Sequence, residues 1–252
     1  EDLFLAKKWV MHEGEVSEKL NLPGVPAAAE DCGTAREIAA AAAYDVPVHI
    51  CHVSTATSAA LIRDAKARGV KVTAETAPHY LLLTDEALEK HDADYRMNPP
   101  LRSEKDRLAM IEAVKDGTID AIVTDHAPWH MDEKDEPFQE APFGIASLEC
   151  AVAVLLDYRS RNYPDVPLEL LFAKMTSAPA SLLPEKWQGL GRIEAGAPAD
   201  LTVIDEDRTR IVDCRTWKSK ARCCPWEGVA LTGWPVMTFV EGRRIWQDEE
   251  EL

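Results

Sequence analysis

The segment from Val46 to Gly69, VPVHICHVSTATSAALIRDAKARG, followed at once by VKVTAETA over 70–77, decides the fold. VPVHICHV is a short β-branched run bounded by Pro47 and by Ser54-Thr55, and it reads as a buried strand. Ser54 or Thr55 can cap the helix that follows, and Gly69 closes it. VKVTAETA then reads as a second strand, ending at Pro78-His79. After a polar stretch the cycle repeats, with EKDRLAMIEAVKDG (104–117) as helix and TIDAIVTD (118–125) as a third strand. Alternation of this kind predicts a parallel sheet with crossover helices, in which the carboxyl ends of the strands line the active site. His52, His79 and Asp125 are the polar residues at those ends.

Upstream, NLPGVP (21–26) is loop-like and EIAAAAAY (37–44) is helix-forming. Downstream, a long loop (129–144) leads to an apolar helix in ASLECAVAVLLDYRSR (146–161), and LELLFAKMTSAPASLL (168–183) predicts two more. From Gly191 the character changes to short strands separated by turns, in ADLTVIDED, RIVD, GVALTG and VMTFVEGRRIWQ. This is expected to form a small β module over 191–252, separate from an α/β part over 1–190, with DEEEL as a solvated acidic end.

The 252 residues are 46% hydrophobic and 29% charged, a globular composition with enough apolar side chains for a core. A net charge of -16 without a basic patch argues against nucleic acid as partner. No apolar run approaches the roughly 20 residues that span a bilayer, and the N-terminus lacks the order of a signal peptide, so a cytoplasmic location is expected. Six cysteines without a CxxC pair argue against a zinc ribbon and a secreted disulfide scaffold. They read as reduced thiols, several of them buried, and a vicinal Cys223–Cys224 disulfide carries little weight.

Imidazole and carboxylate at His52 and Asp125 are ligands that a borderline divalent cation such as zinc prefers. The alternative is a hydrogen-bonded core histidine and an aspartate capping a turn. Strand alternation points His49 and His52 to opposite faces, which makes it hard for both to bind one metal and favours a structural role for His49.

The strings VHICHVST (48–55), MNPPLRSEKDR (97–107), TDHAP (124–128) and APFGIASLE (141–149), in this order and at these intervals, resemble the dihydroorotases of the amidohydrolase superfamily. GLGRIEAGAPADLTVID (189–205) and the opening residues 1–31 extend the resemblance over nearly the whole chain. It implies a partial TIM (β/α)8 barrel, about its last three strands, plus the C-terminal β module. It also implies hydrolysis of (S)-dihydroorotate to N-carbamoyl-L-aspartate, reversibly, in pyrimidine biosynthesis.

By motif, the resemblance makes His52 and Asp125 metal ligands at a zinc site that is binuclear in the intact enzyme. It makes Asp125 also the general base that returns its proton to the leaving amide nitrogen. Asn98 would hydrogen-bond the substrate ring, although as a residue before Pro99-Pro100 it could equally be a turn residue. Pro142 and Gly144 would meet the ring through backbone groups, and His79 would support the site from behind. Such enzymes commonly have a substrate-contacting histidine where this chain has Trp129, so either His130 takes over or the contact is absent. His126 reads as a loop histidine.

Family members also carry a His-x-His pair with an arginine nearby, a bridging carboxylated lysine or aspartate, and a further histidine, none of which occurs in this sequence. The chain is therefore expected to be a fragment, a truncated product or one piece of a split enzyme, inactive alone and marginal or self-associating. Three parallel strands would leave an unpaired edge. Other expectations stay open: a sister cyclic amidohydrolase (allantoinase or dihydropyrimidinase), a homodimer, or a non-catalytic partner of aspartate transcarbamoylase. MNPPLR favours dihydroorotase among the enzymes.

Overall fold

A computed structural model describes residues 1–7, 9–187 and 189–248. Two compact units divide the chain: Glu1–Leu148 with Cys214–Pro225, and Glu149–Asp213 with Trp226–Leu252. The helices after Glu149 group with the C-terminal strands in the second unit.

The first unit opens with two short strands that pair in parallel, β1 (Met11–His12) and β2 (Gly24–Val25), with helix α1 (Glu15–Leu20) between them. NLPGVP is thus partly strand, and two residues are too few for periodicity to reveal. Helix α2 (Ala28–Tyr44) takes in the Ala-rich run. A parallel sheet follows, ordered β3 (Val48–Ile50), β4 (Val72–Thr76), β5 (Ala121–Ile122). Helix α3 (Ala56–Ala67) connects β3 to β4, capped by the Thr55 hydroxyl, which accepts from the Ser58 N–H. Gly69 follows with φ 79°, the left-handed geometry its position requires. Helix α4 (Pro78–Leu82) and then α5 (Glu104–Lys115), capped by Ser103, lead to β5.

The burial of β4 alternates: Val72, Ala74 and Thr76 are buried beneath helices whose inner faces supply Ile62, Ala65, Met110 and Val114. Thr73 and Glu75 point the other way and are half-buried. On β3 the residue paired with Thr73 is His49, and that side of the strand is exposed at both His49 and Cys51. The strand expected to be buried at 46–53 is only partly so: Val48 and Ile50 are half-buried, Val53 is buried, and His49 and Cys51 are exposed. The loop 129–144 contains a short helix, α6 (Met131–Lys134).

In the second unit, α7 (Ala151–Asn162), α8 (Leu168–Met175) and α9 (Ser177–Leu182) precede an antiparallel sheet ordered β6 (Leu201–Ile211), β7 (Ala230–Val240), β8 (Arg243–Gln247). Helix α7 packs on β7 so closely that a Cβ at Gly233 would lie 2.8 Å from the Leu156 Cβ. The separate short strands expected from ADLTVIDED and RIVD are one strand. A register shift between Asp205 and Thr209 absorbs the charged residues between them without ending the pairing. Pro235 is tolerated inside β7 because it lies at another such shift, where β8 does not reach it. Asp248 is not a solvated tail residue: it is buried and pairs with Arg208 and Arg210. The rest of DEEEL lies outside the described residues. All six cysteines are free thiols, with Cys150, Cys214, Cys223 and Cys224 buried and Cys32 and Cys51 exposed.

Candidate active site

His52 and Asp125 each lie just beyond the end of a strand, and both adopt left-handed backbone conformations, φ 42° and 47°. Such geometry is uncommon for residues with a Cβ and is held here by neighbours on either side. The Val53 N–H donates to the Glu75 carbonyl at 2.8 Å, and the Val123 N–H donates to the Thr76 carbonyl at 2.9 Å. The Thr76 hydroxyl returns a bond to the Val53 carbonyl at 2.8 Å. The chain turns at the strand ends, so the pleat alternation stops at Ile50. His49, Cys51 and His52 all border one surface hollow.

His79 comes from the first turn of α4 and is fully buried. Its Nε2 stands 3.8 Å from Asp125 Oδ2, beyond hydrogen-bond reach. Burial first, and His52 second, push the His79 imidazole down to about 3, so the ring is neutral. Burial raises the Asp125 carboxyl, opposed by His52 and assisted by the charge of Glu75. Among the described residues His52 Nδ1, both ring nitrogens of His79 and Asp125 Oδ2 are buried without a hydrogen-bond partner. Native proteins rarely leave such atoms unsatisfied. Imidazole nitrogens and a carboxylate oxygen that lack partners are donor types that a divalent cation takes, and His79 and Asp125 lie side by side.

Immediately beside this cluster lies a buried network of the opposite kind. Glu30 of α2 accepts from the Ser54 and Thr55 N–H groups at 2.9 and 3.1 Å and from both hydroxyls. It also pairs with Arg102 at 3.2 Å, whose other nitrogens reach Ser54 Oγ and His12 Nδ1. This network fixes the residues that follow His52. Sequence reading missed it, because Glu30, Ser54, Arg102 and His12 share no local pattern.

The remaining expected residues fall as follows. Asn98 is exposed, joined by a cis peptide to buried Pro99, which lines the hollow with His52. Lys134, buried, donates to the carbonyls of Pro142 and Gly144 at 3.1 and 2.9 Å, and the Gly144 N–H is spent on the Arg96 carbonyl. A Cβ at Gly144 would lie 2.6 Å from the Trp129 ring, whose Nε1 donates to the Phe143 carbonyl. His130 is exposed and N-caps α6, with Nδ1 accepting from the Asp132 N–H at 3.3 Å. His126 Nδ1 accepts from the Ser147 and Leu148 N–H groups. His49 bonds Thr73 Oγ1 and Glu75 Oε2.

The chain is 47% identical over 249 residues to a dihydroorotase of Geobacter metallireducens, covering 98% of this chain and 57% of that protein. It is 42% identical over 250 residues to a dihydroorotase of Halalkalibacterium halodurans, covering 99% and 58%. The chain thus spans somewhat over half the length of the curated relatives it matches. Among solved structures, an L-hydantoinase (dihydropyrimidinase) from Arthrobacter aurescens is similar at TM-score 0.83 and 26% identity, covering 89% of this chain and 50% of that one. A D-hydantoinase (dihydropyrimidinase) from Thermus sp. is similar at 0.81 and 26%, covering 93% and 52%. Residues 3–245 match the amidohydrolase family, whose members generally use a metal, and the chain belongs to that family.

Proposed function

We propose that the chain supplies part of the catalytic site of a dihydroorotase, which interconverts (S)-dihydroorotate and N-carbamoyl-L-aspartate. The observation that carries this reading is the unpartnered set His52, His79 and Asp125 in a chain 42–47% identical to curated dihydroorotases over nearly all its length. In the same reading β3, β4 and β5 are about the last three strands of a TIM barrel, and residues 191–252 are its small β module.

His52 and Asp125 would hold zinc, binuclear in the whole enzyme. When bound, such a cation polarises a carbonyl and acidifies a water. Asp125 performs the proton transfers: a carboxyl raised by burial accepts a proton at Oδ2 and releases it to the leaving amide nitrogen. His79, neutral and buried against Asp125, adds no charge and restricts that carboxylate's movement. Asn98, exposed at the rim, and the Pro142–Gly144 backbone held by Lys134 would orient the ring, with His130 beside them. A cytoplasmic enzyme acting as a homodimer, or with aspartate transcarbamoylase, belongs to the same reading.

The whole open reading frame that encodes the chain should be assayed with dihydroorotate, dihydrouracil, hydantoin and allantoin. Turnover of dihydroorotate, lost by at least 1,000-fold in Asp125→Asn, is expected. The likeness to hydantoinases favours a second reading, a sister cyclic amidohydrolase. Turnover of hydantoin or dihydrouracil without dihydroorotate would establish it instead.

A further inference from the structure

The uncovered face of the parallel sheet carries a second set of donors. His49 and Cys51 alternate onto that face of β3 and its end, and Glu75 projects beside them from β4. The ligand atoms of the three lie within 4.8 Å of one another. His49 Nε2 is 3.0 Å from Glu75 Oε2, while Nδ1 is held by Thr73 Oγ1 at 2.8 Å. An imidazole whose far nitrogen is anchored in this way is oriented as metal-bound histidines usually are. In the 252-residue chain Cys51 and His49 are exposed and line the same surface hollow.

We propose that His49 Nε2, Cys51 Sγ and the Glu75 carboxylate form a binding site for a thiophilic divalent cation of the zinc class, distinct from the His52–Asp125 cluster. A thiolate, a carboxylate and a neutral imidazole carry two negative charges, which match the ion, and one soft ligand selects zinc-like ions over magnesium or calcium. Binding takes Cys51 as the thiolate and His49 as the tautomer whose Nδ1–H donates to Thr73 Oγ1, so one proton, that of the thiol, is released. The site uses neither His52 nor Asp125, so its failure and that of the reaction proposed above are read by different experiments.

Cobalt(II) titration of the 252-residue chain separates the two sites, since only thiolate ligation gives an intense sulfur-to-cobalt charge-transfer band. A band saturating at one equivalent is expected, retained in Asp125→Asn and in Cys32→Ser, which removes the other exposed thiol. Cys51→Ser should abolish it, and Glu75→Gln should weaken cobalt affinity at least tenfold. Circular dichroism of each variant verifies the fold. Absence of the band from the unmodified chain overturns the proposal, as does its survival in Cys51→Ser or an unchanged affinity in Glu75→Gln.

Discussion

Two buried polar clusters meet at the end of β3, and they differ in one respect. Around Glu30 every carboxylate oxygen is engaged by backbone, hydroxyl or guanidinium donors. Around His79 and Asp125, two residues earlier along the same loop through His52, ring nitrogens and a carboxylate oxygen have no hydrogen-bond partner among the described residues. A satisfied network stabilises and fixes geometry, whereas an unsatisfied one costs stability and is retained where a ligand completes it. The difference teaches which polar residues hold the site and which are there for chemistry.

Breaking the satisfied side should have the largest effect. Arg102→Met leaves Glu30 buried without its cation, and loss of one member of such a pair costs about 3–5 kcal/mol. Urea denaturation should show the loss as a large drop in midpoint. An unchanged midpoint would mean that the network is not what orders the His52 loop.

Acid should attack the same network through His12. Burial first, and the Arg102 guanidinium second, push His12 down from 6.5 to about 4. The unfolded chain thus takes up this proton near pH 6.5 and the folded chain only near pH 4. The contribution to stability is complete above pH 6.5 and is lost as pH falls from there through 4, by up to about 3 kcal/mol. Urea midpoints at pH 7 and pH 5 should therefore differ, and His12→Gln should reduce the difference. A midpoint equally pH-dependent in His12→Gln would assign the effect to other groups.

A smaller effect is expected where only local bonds are at stake. Ser103→Ala removes the hydroxyl that caps α5 and should cost about 1 kcal/mol. On the unsatisfied side, His79→Leu replaces a buried ring lacking bonds by an apolar group of similar size. Stability should be unchanged or improved by up to about 1 kcal/mol. A loss above about 2 kcal/mol would show that the imidazole is bonded in solution.

Much of the parallel sheet was legible because its signals are local. The β-branched runs, the hydroxyl before α3 and the glycine after it all act within a few residues. The strands β1 and β2 were not legible, since they are held by a pairing between Met11–His12 and Gly24–Val25 rather than by a pattern. His52 and Asp125 could be located at strand ends, but not their left-handed backbones, which no local pattern announces. The Glu30–Arg102 pair joins residues far apart in sequence and only folding brings it together. The Pro142–Gly144 loop was readable as a motif, whereas the buried Lys134 that holds it was not.

The comparison is tested most directly by urea unfolding of Asp125→Asn and Glu30→Gln, side by side in metal-free buffer at pH 7.5. The Asp125 carboxyl is raised by burial, so its charged form costs stability at that pH and the amide should raise the midpoint. Glu30 accepts from four neighbouring donors besides Arg102, so its amide should lower the midpoint, by about 2 kcal/mol or more. Opposite signs are the predicted result. A fall in both variants, of similar size, would contradict the distinction between a cluster that holds the site and a cluster that awaits a ligand.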